Sequence, residues 1–449
     1  MRFKAKVSVV FLSTLITLYA IIGGFLSKST EAVAKGSQYA QYAIFDEVLG
    51  HIIHDYVDEP DLEKVRIGSL RGLAEGLDVY SAYLTVQQLK QYDPNPSPGA
   101  TGMILSKVGG FVYVVGVIKG SAADQAGIKD GDFIEYVGTV ASRDLSLYDA
   151  THLLGGDPGT PVTIRIVHQG QSRKVTFNLA KLVQPPIEGR IQEPGIGYIK
   201  VTSLADGKAA EVKRVVADLV SKGAQKLVLD LRDASNGTLD EGVAVANLFV
   251  GSGTLAEVIG KEGKEAKVFQ ANPDKVVFTG PLSVVIDHST AGPAEVIAAA
   301  VRDQKRGDVV GDRTFGMGSD QKLFSLSDGG ALLITVAKYA AADGKPFMDE
   351  AVEPTVKVEQ PVAQQDLIIP DTDEDTDSSD DSAKPAPPKP PQPKVEPGSS
   401  AAAEDLQLKK AVELLKQAPA KAQAAQKRAE LGSDHRVPKT RVYERKHAA

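Results

Sequence analysis

The chain has 449 residues, room for roughly two or three domains, with 42% apolar and 24% charged residues, the balance of a core-forming protein. A formal net charge of -7 supplies no basic field, so no nucleic-acid partner is expected. Cysteine is absent, which excludes disulfides and thiolate chemistry without deciding the compartment.

Arg2, Lys4 and Lys6 precede an apolar run over residues 7–26. At about 1.5 Å per residue the run just crosses a hydrocarbon core of about 30 Å. Basic residues in front of it favour a cytoplasmic N-terminus. Residues 1–34 are therefore expected to be a single membrane anchor with the body outside the cytoplasm, on the periplasmic side of a cell envelope. The rival is a signal peptide cleaved after Ala32-Val33-Ala34, which exports the body equally.

Residues 38–95 read as a helical region. Ile44, Val48, Ile52 and Ile53 recur at helical spacing, as do Leu62, Val65, Leu70 and Leu73, with Asp58-Glu59-Pro60 between the two helices. His51 and His54 lie on one helix face beside Asp55. No third ligand is signposted, so a solvated face and no metal are expected. Residues 99–183 carry β-rich runs at 112–118, 132–138, 162–167 and 174–180, with helix-like pieces at 122–126 and 147–154. From 184 to 360 the pattern alternates. Strands at 195–201, 226–232 and 282–287 are each followed by a helix, at 205–223, 239–250 and 294–304, which predicts a layered α/β core.

Globular composition ends near residue 361. The acidic block DTDEDTDSSDD at 371–381 and the Pro/Lys stretch after it bury too little apolar surface to fold, so 361–400 is expected to be a disordered linker. The block lacks the spacing and glycine turn of an EF-hand. Residues 401–449 open with an amphipathic helix to about 431, whose apolar side carries Leu406, Val412, Leu414 and Leu415. Pro419 should interrupt it, and a basic tail follows. The fold class is α/β in the sense of a multidomain α+β chain.

Within the β-rich unit, KGSAADQAGIKDGDFIEYVG at 119–138 resembles the centre of a PDZ domain, and GGDPGTPVTIRI at 155–166 resembles its later G-x-x-G-t-x-V segment. The resemblance implies a domain that adds a C-terminal peptide as a β-strand and captures its carboxylate on loop N–H groups. The implied capturing loop is Gly99, Ala100, Thr101, Gly102, Met103, Ile104 and Leu105, with Thr101 and Met103 where other residues are more usual. The rival reading is a PDZ fold that serves only as a spacer.

Four further stretches resemble the C-terminal processing peptidases, also called tail-specific proteases. LDVYSAYL at 77–84 is similar to L-D-P-Y-S-x-Y-L, and LVLDLRDASNG at 227–237 to l-i-L-D-L-R-x-N-P-G-G. STAGPAEVIAAAVRDQKRGDVVGDRTFGMGSDQ at 289–321 is similar to S-A-S-A-S-E-I-x-A-x-A-x-x-D…G-x-x-T-F-G-K-G-x-x-Q, and EAVEPTV at 350–356 to G-I-x-P-D-v. The resemblance implies peptide hydrolysis by a Ser nucleophile with a Lys base, and no cofactor. A serine hydroxyl needs such a base to lose its proton.

The family's Ser stands three residues before the motif Glu, here Glu295, so the nucleophile position is Gly292. Its Lys is the third residue of F-G-K-G, here Met317. The implied oxyanion donors are Gly237 and the residue after the nucleophile, here Pro293, which has no N–H. Gln321 fills the place of the Gln that orients the Lys, and Asp230, Arg232 and Asp303 match framework positions. Losing an oxyanion donor costs about 10²–10³ in rate, and losing a nucleophile about 10⁶. Ser289, Thr290 and His288 lie beside the vacant position, but neighbours in sequence point in different directions and read as a polar turn.

Three functions remain open on this reading. The first is a non-catalytic pseudopeptidase that binds peptide or protein C-termini in the envelope, alone or with an active paralogue. The second is a serine-type endopeptidase with an unorthodox site. The third is a scaffold whose helices self-associate and which takes no peptide.

Overall fold

The computed structural model describes residues 42–92, 101–264, 266–348, 350–359 and 404–418. The expected anchor at 1–34, the linker at 361–400, Pro419 and the basic tail lie outside the described residues. Among the described residues no helix is long and apolar enough to cross a membrane.

The chain divides after Leu70 into two units. The first holds α1 (Tyr42–Asp55) and the start of α2 (Leu62–Glu75). The Asp61 carboxylate accepts from the backbone N–H of Glu63 and of Lys64, each at 3.1 Å, and so starts α2. Ile44 and Val48, one helical turn apart on α1, are exposed, and so is Ile53.

In the second unit, β1 (Ala82–Leu84) and α3 (Val86–Lys90) come first. The 77–84 stretch thus holds a strand where a helical region was expected. Next come β2 (Met103–Val108), β3 (Phe111–Val117), α4 (Ala122–Gln125), β4 (Phe133–Val137), β5 (Val140–Ala141), α5 (Leu147–Leu153), β6 (Pro161–His168) and β7 (Gln171–Asn178). They form an antiparallel sheet in the order β2-β3-β4-β6-β7, with β5 on β4. This unit has its own core of Val112, Val114, Ile134, Ile164 and Ile166. β3 is apolar on both faces because its other face, with Phe111, Tyr113 and Val115, is also covered.

The α/β core contains β8 (Glu188–Glu193), β9 (Ile196–Lys200), α6 (Lys208–Ser221), β10 (Lys226–Asp230), α7 (Leu239–Asn247), β11 (Thr254–Gly260), β12 (Lys267–Gln270), β13 (Leu282–Ile286), α8 (Pro293–Asp303), β14 (Asp308–Gly311), β15 (Ser319–Ser325), β16 (Ala331–Ala340) and β17 (Val356–Lys357). A mainly parallel sheet runs in the order β17-β14-β13-β10-β9-β8, with only β8 antiparallel to its neighbour. A second sheet, β1-β16-β11-β12 with β15 on β16, was not legible as such. Its strands interrupt the strand-helix alternation with short apolar runs whose partners periodicity does not name.

The parallel strands are buried on both faces, as their near-continuous apolar sequence requires. Leu227, Leu229, Val284 and Ile286 pack with α6, α7 and α8. The alternate residues Val228, Val285 and Val310 pack, with Tyr198, against Ala411, Val412 and Leu415 of α9 (Leu406–Gln417). The described helix ends at Gln417, and the expected stretch from Pro419 to 431 lies outside the described residues. Lys226 Nζ donates to its C-terminal carbonyls, Leu415 O at 2.6 Å and Ala418 O at 2.8 Å, which favours the negative helix end.

Asp230, at the end of β10, is fully buried and accepts from Arg232, from Lys200 Nζ at 3.4 Å and from the Tyr198 hydroxyl at 2.8 Å. Burial pushes its carboxyl up, but Lys200, Arg232 and Tyr198 together pull it below the ordinary value of 3.8. The stability it contributes is therefore present above that value and lost as pH falls through the lowered folded value. Asp230→Asn should cost about 1–3 kcal/mol at neutral pH, because Tyr198, Arg232 and Lys200 lose a buried charged acceptor, although Asp405 and Asp233 still pair with the two cations. In denaturant titrations the gap between the two proteins should narrow as pH falls below the ordinary carboxylate value of 3.8; a constant gap would refute the assignment.

Candidate active site

β13 delivers the chain to a tight turn, residues 287–292, that opens α8. Gly292 is the N-cap, with φ 58° and ψ -119°, a conformation that strains any residue with a side chain. Pro293 follows as the first helical residue, where its fixed φ suits the helix and its missing N–H leaves no intrahelical gap.

Glu295, one turn into α8, is fully buried. Its carboxylate accepts from the Gly292 N–H at 2.8 Å, the Met317 N–H at 2.7 Å, the Gly316 N–H at 3.0 Å and the Thr314 hydroxyl at 2.5 Å. The Phe315 N–H donates to Thr290 O at 3.0 Å. One carboxylate thus joins the turn before α8 to the loop after β14. Burial pushes this carboxyl up to about 7, against the pull of its four donors.

The two positions singled out by spacing meet here. A Cβ built on Gly292 would lie 3.7 Å from Met317 Cε, in ordinary contact. A side chain at 292 would therefore face the side chain at 317 directly. The implied oxyanion loop is bonded to the same turn: the Ala291 N–H donates to Ala234 O at 2.9 Å and the Asp233 N–H to Ser289 Oγ at 2.8 Å. Gly237 has φ 130°, and a Cβ there would lie 2.1 Å from Leu204 O, so glycine is required.

Other positions do not converge on this point. Gln321 donates to Ser319 Oγ at 2.7 Å and to Thr335 Oγ1 at 3.4 Å. Thr335 in turn donates to Asp78 at 3.2 Å, so the Gln belongs to the network of the β1–β16 sheet. Ser289 is buried and donates to Asp287 at 2.6 Å; Thr290 is buried and donates to Leu231 O at 3.1 Å. Burial pushes the Asp287 carboxyl up to about 6, opposed by the Ser289 hydrogen bond. His288 packs its ring on Phe315, 5.3 Å between centroids, and burial then Arg313 lower its pKa. The two hydroxyls are committed to Asp287 and Leu231 O, and the imidazole packs on Phe315 and Tyr113. His51 pairs with Asp55 at 2.5 Å on an exposed face, and among the described residues no cluster of three potential metal ligands occurs.

Sequence reasoning missed what covers the centre. Phe111, Tyr113, Val115 and Phe133 of the antiparallel sheet pack against Ala291, Phe315 and Met317. The Tyr113 ring stacks on Phe315 at 5.8 Å and 12°. Of the implied peptide loop, Gly99 and Ala100 lie outside the described residues. Thr101, Gly102 and Met103 are buried, and Ile104 and Leu105 are half-buried on the edge strand β2. Thr101 O accepts from the Ala123 N–H at 2.9 Å and Gly102 O from the Ile118 N–H at 2.8 Å, which fixes the loop's entry into β2.

Residues 195–358, which span Gly292 and Met317, match the model of peptidase family S41. The chain belongs to peptidase family S41. It is 30% identical over 313 residues to the carboxy-terminal processing protease CtpA of Bacillus subtilis, covering 68% of this chain and 66% of that relative. It is 26% identical over 367 residues to a carboxy-terminal-processing protease of Bartonella bacilliformis, covering 78% and 83%. The fold is similar to that of a photosystem II D1 C-terminal processing protease, with a TM-score of 0.59, 24% identity, and coverage of 75% of this chain and 93% of that one. The S41 core thus carries mixed α/β sheets around the Glu295 joint.

Glu295→Gln places an amide nitrogen against two of the four donors, each orphan costing about 1–3 kcal/mol. Because the folded carboxyl titrates near 7 rather than the ordinary 4.5, the wild-type protein is more stable below that interval and loses margin as pH rises through it. The Gln variant should unfold at lower denaturant than wild type, with a larger deficit at pH 5 than at pH 8. A deficit that grows towards pH 8 would refute the raised value.

Proposed function

We propose that this S41 member is a non-catalytic peptidase homologue that binds peptide or protein C-termini, held at the outer side of a membrane by its N-terminal segment. The observation that carries the reading is the contact between positions 292 and 317, occupied by Gly and Met. Neither side chain can attack a carbonyl or take a proton. The buried, committed hydroxyls of Ser289 and Thr290 argue against a substitute nucleophile. The PDZ-like sequence of residues 99–183 and the edge strand β2 support peptide capture by strand addition.

Fluorophosphonate should leave the full-length protein unlabelled, and unfolded substrates should stay intact. The variant Gly292→Ser, Pro293→Ala, Met317→Lys restores nucleophile, oxyanion N–H and base together. It should label weakly, since Ser at 292 must hold the strained backbone and Lys must lose its proton in an apolar setting. The same variant without Pro293→Ala should label less. Wild-type cleavage abolished by Ser289→Ala would end the non-catalytic reading.

Fluorescent peptides with a free C-terminus should bind the full-length protein, and their amidated forms should bind at least about tenfold more weakly, because the carboxylate is the captured group. Equal binding of both forms would refute C-terminal recognition. The apolar run at residues 7–26 supports the membrane location. Expressed protein should sediment with membranes and resist carbonate extraction; a soluble product starting at Lys35 would show a cleaved signal instead.

A further inference from the structure

α9 lies beyond residue 358, where the family match ends, yet it reaches the candidate site. The connection is one guanidinium. Arg232 Nη1 and Nη2 fork onto Asp405 at 3.0 and 2.7 Å, while its Nε and Nη2 hold Asp230 at 3.0 and 2.6 Å. Asp405 is also the N-cap of α9, accepting from the Leu408 N–H at 2.9 Å. The helix is fixed at its start by Gln407, whose Nε2 donates to Val358 O at 3.1 Å, and at its end by Lys226.

On the other side of Arg232 the loop begins at once. Asp233 has φ 63°, a left-handed conformation that a non-glycine residue keeps only when its surroundings impose it. Its carboxylate pairs with Lys200 at 3.0 Å, its N–H meets Ser289, and the carbonyl of Ala234 holds Ala291, the residue before Gly292. A fork that fixes Arg232 therefore fixes the origin of the 233–237 loop and, through it, the turn at 289–292.

We propose that α9 is a positioning element of the candidate site. Asp405, acting through Arg232, holds the 233–237 loop in register with the turn before Gly292; that loop packs on β3, where a Cβ at Gly116 would lie 2.2 Å from Ser235 Oγ, and β3 pairs with the edge strand β2, so peptide affinity depends on α9 being seated. The affinity clause rests on the peptide-binding reading; the positioning clause does not.

The test compares full-length wild type with Asp405→Asn, Asp405→Glu, Arg232→Lys and Lys416→Ala, by amide exchange and by peptide anisotropy. Asp405→Asn keeps a capping oxygen and removes the charge; Arg232→Lys keeps the charge and removes the fork. Both should raise exchange across 233–237 and 289–292 by about tenfold, with β10 and β13 still protected. Both should weaken peptide binding by about tenfold. Asp405→Glu should recover most of both effects. Lys416→Ala, on the exposed face of α9 beside Glu193, should change neither. Unaltered exchange at 233–237 in both Asp405→Asn and Arg232→Lys overturns the proposal, and so does a uniform rise that includes β10 and β13. If wild type binds no peptide while loop exchange responds, positioning stands and the proposed function falls. If peptide binds and neither readout moves, the function stands and positioning falls.

Discussion

The Glu295 carboxylate is the constraint on which the site depends. Four donors from two separate chain segments converge on one buried group. Without it the bond from the Phe315 N–H to Thr290 O would have to hold the 314–317 loop to the turn before α8, and with it the ring of Phe315 on which Tyr113 stacks. The joint is built from backbone N–H groups, a hydroxyl and a glutamate. It therefore uses no side chain from position 292 or 317, which Gly and Met occupy.

Much of the site was legible because motif spacing fixes chain position along β13, α8 and β14, and parallel strands bring successive turns to the same sheet end. Glu295 itself was read only as a landmark for counting; its place at the third helical position was the available sign of a capping role. Gln321 illustrates the limit. Its alignment was clear, yet its amide lies with Ser319 and Thr335, because the partner strand β16 was not read at all. The cover from β3 was also out of reach. An unbroken apolar strand says that both faces are buried and does not say by what.

The C-terminal helix shows the same division. Its apolar stripe could be read from Val412 and Leu415, and its docking face could not. Leu406 and Leu414, also read as apolar markers, are only half-buried, whereas Ala411 and the polar Gln407 are as enclosed as Leu415. Gln407 is enclosed because its amide meets both Val358 O and Arg232, a partnership that no helical period encodes.

The second face of the parallel sheet carries a timing consequence. Lys226 and the carbonyl it caps at Ala418 are 192 residues apart. A ribosome adding about 5–20 residues per second needs roughly 10–40 s to cover that interval. Throughout it, Tyr198 and Val228, and later Val285 and Val310, form a naked apolar row whose natural cover has not been made. The second face of the sheet therefore closes only when α9 is made, and a nascent chain must be shielded from its neighbours until that helix arrives.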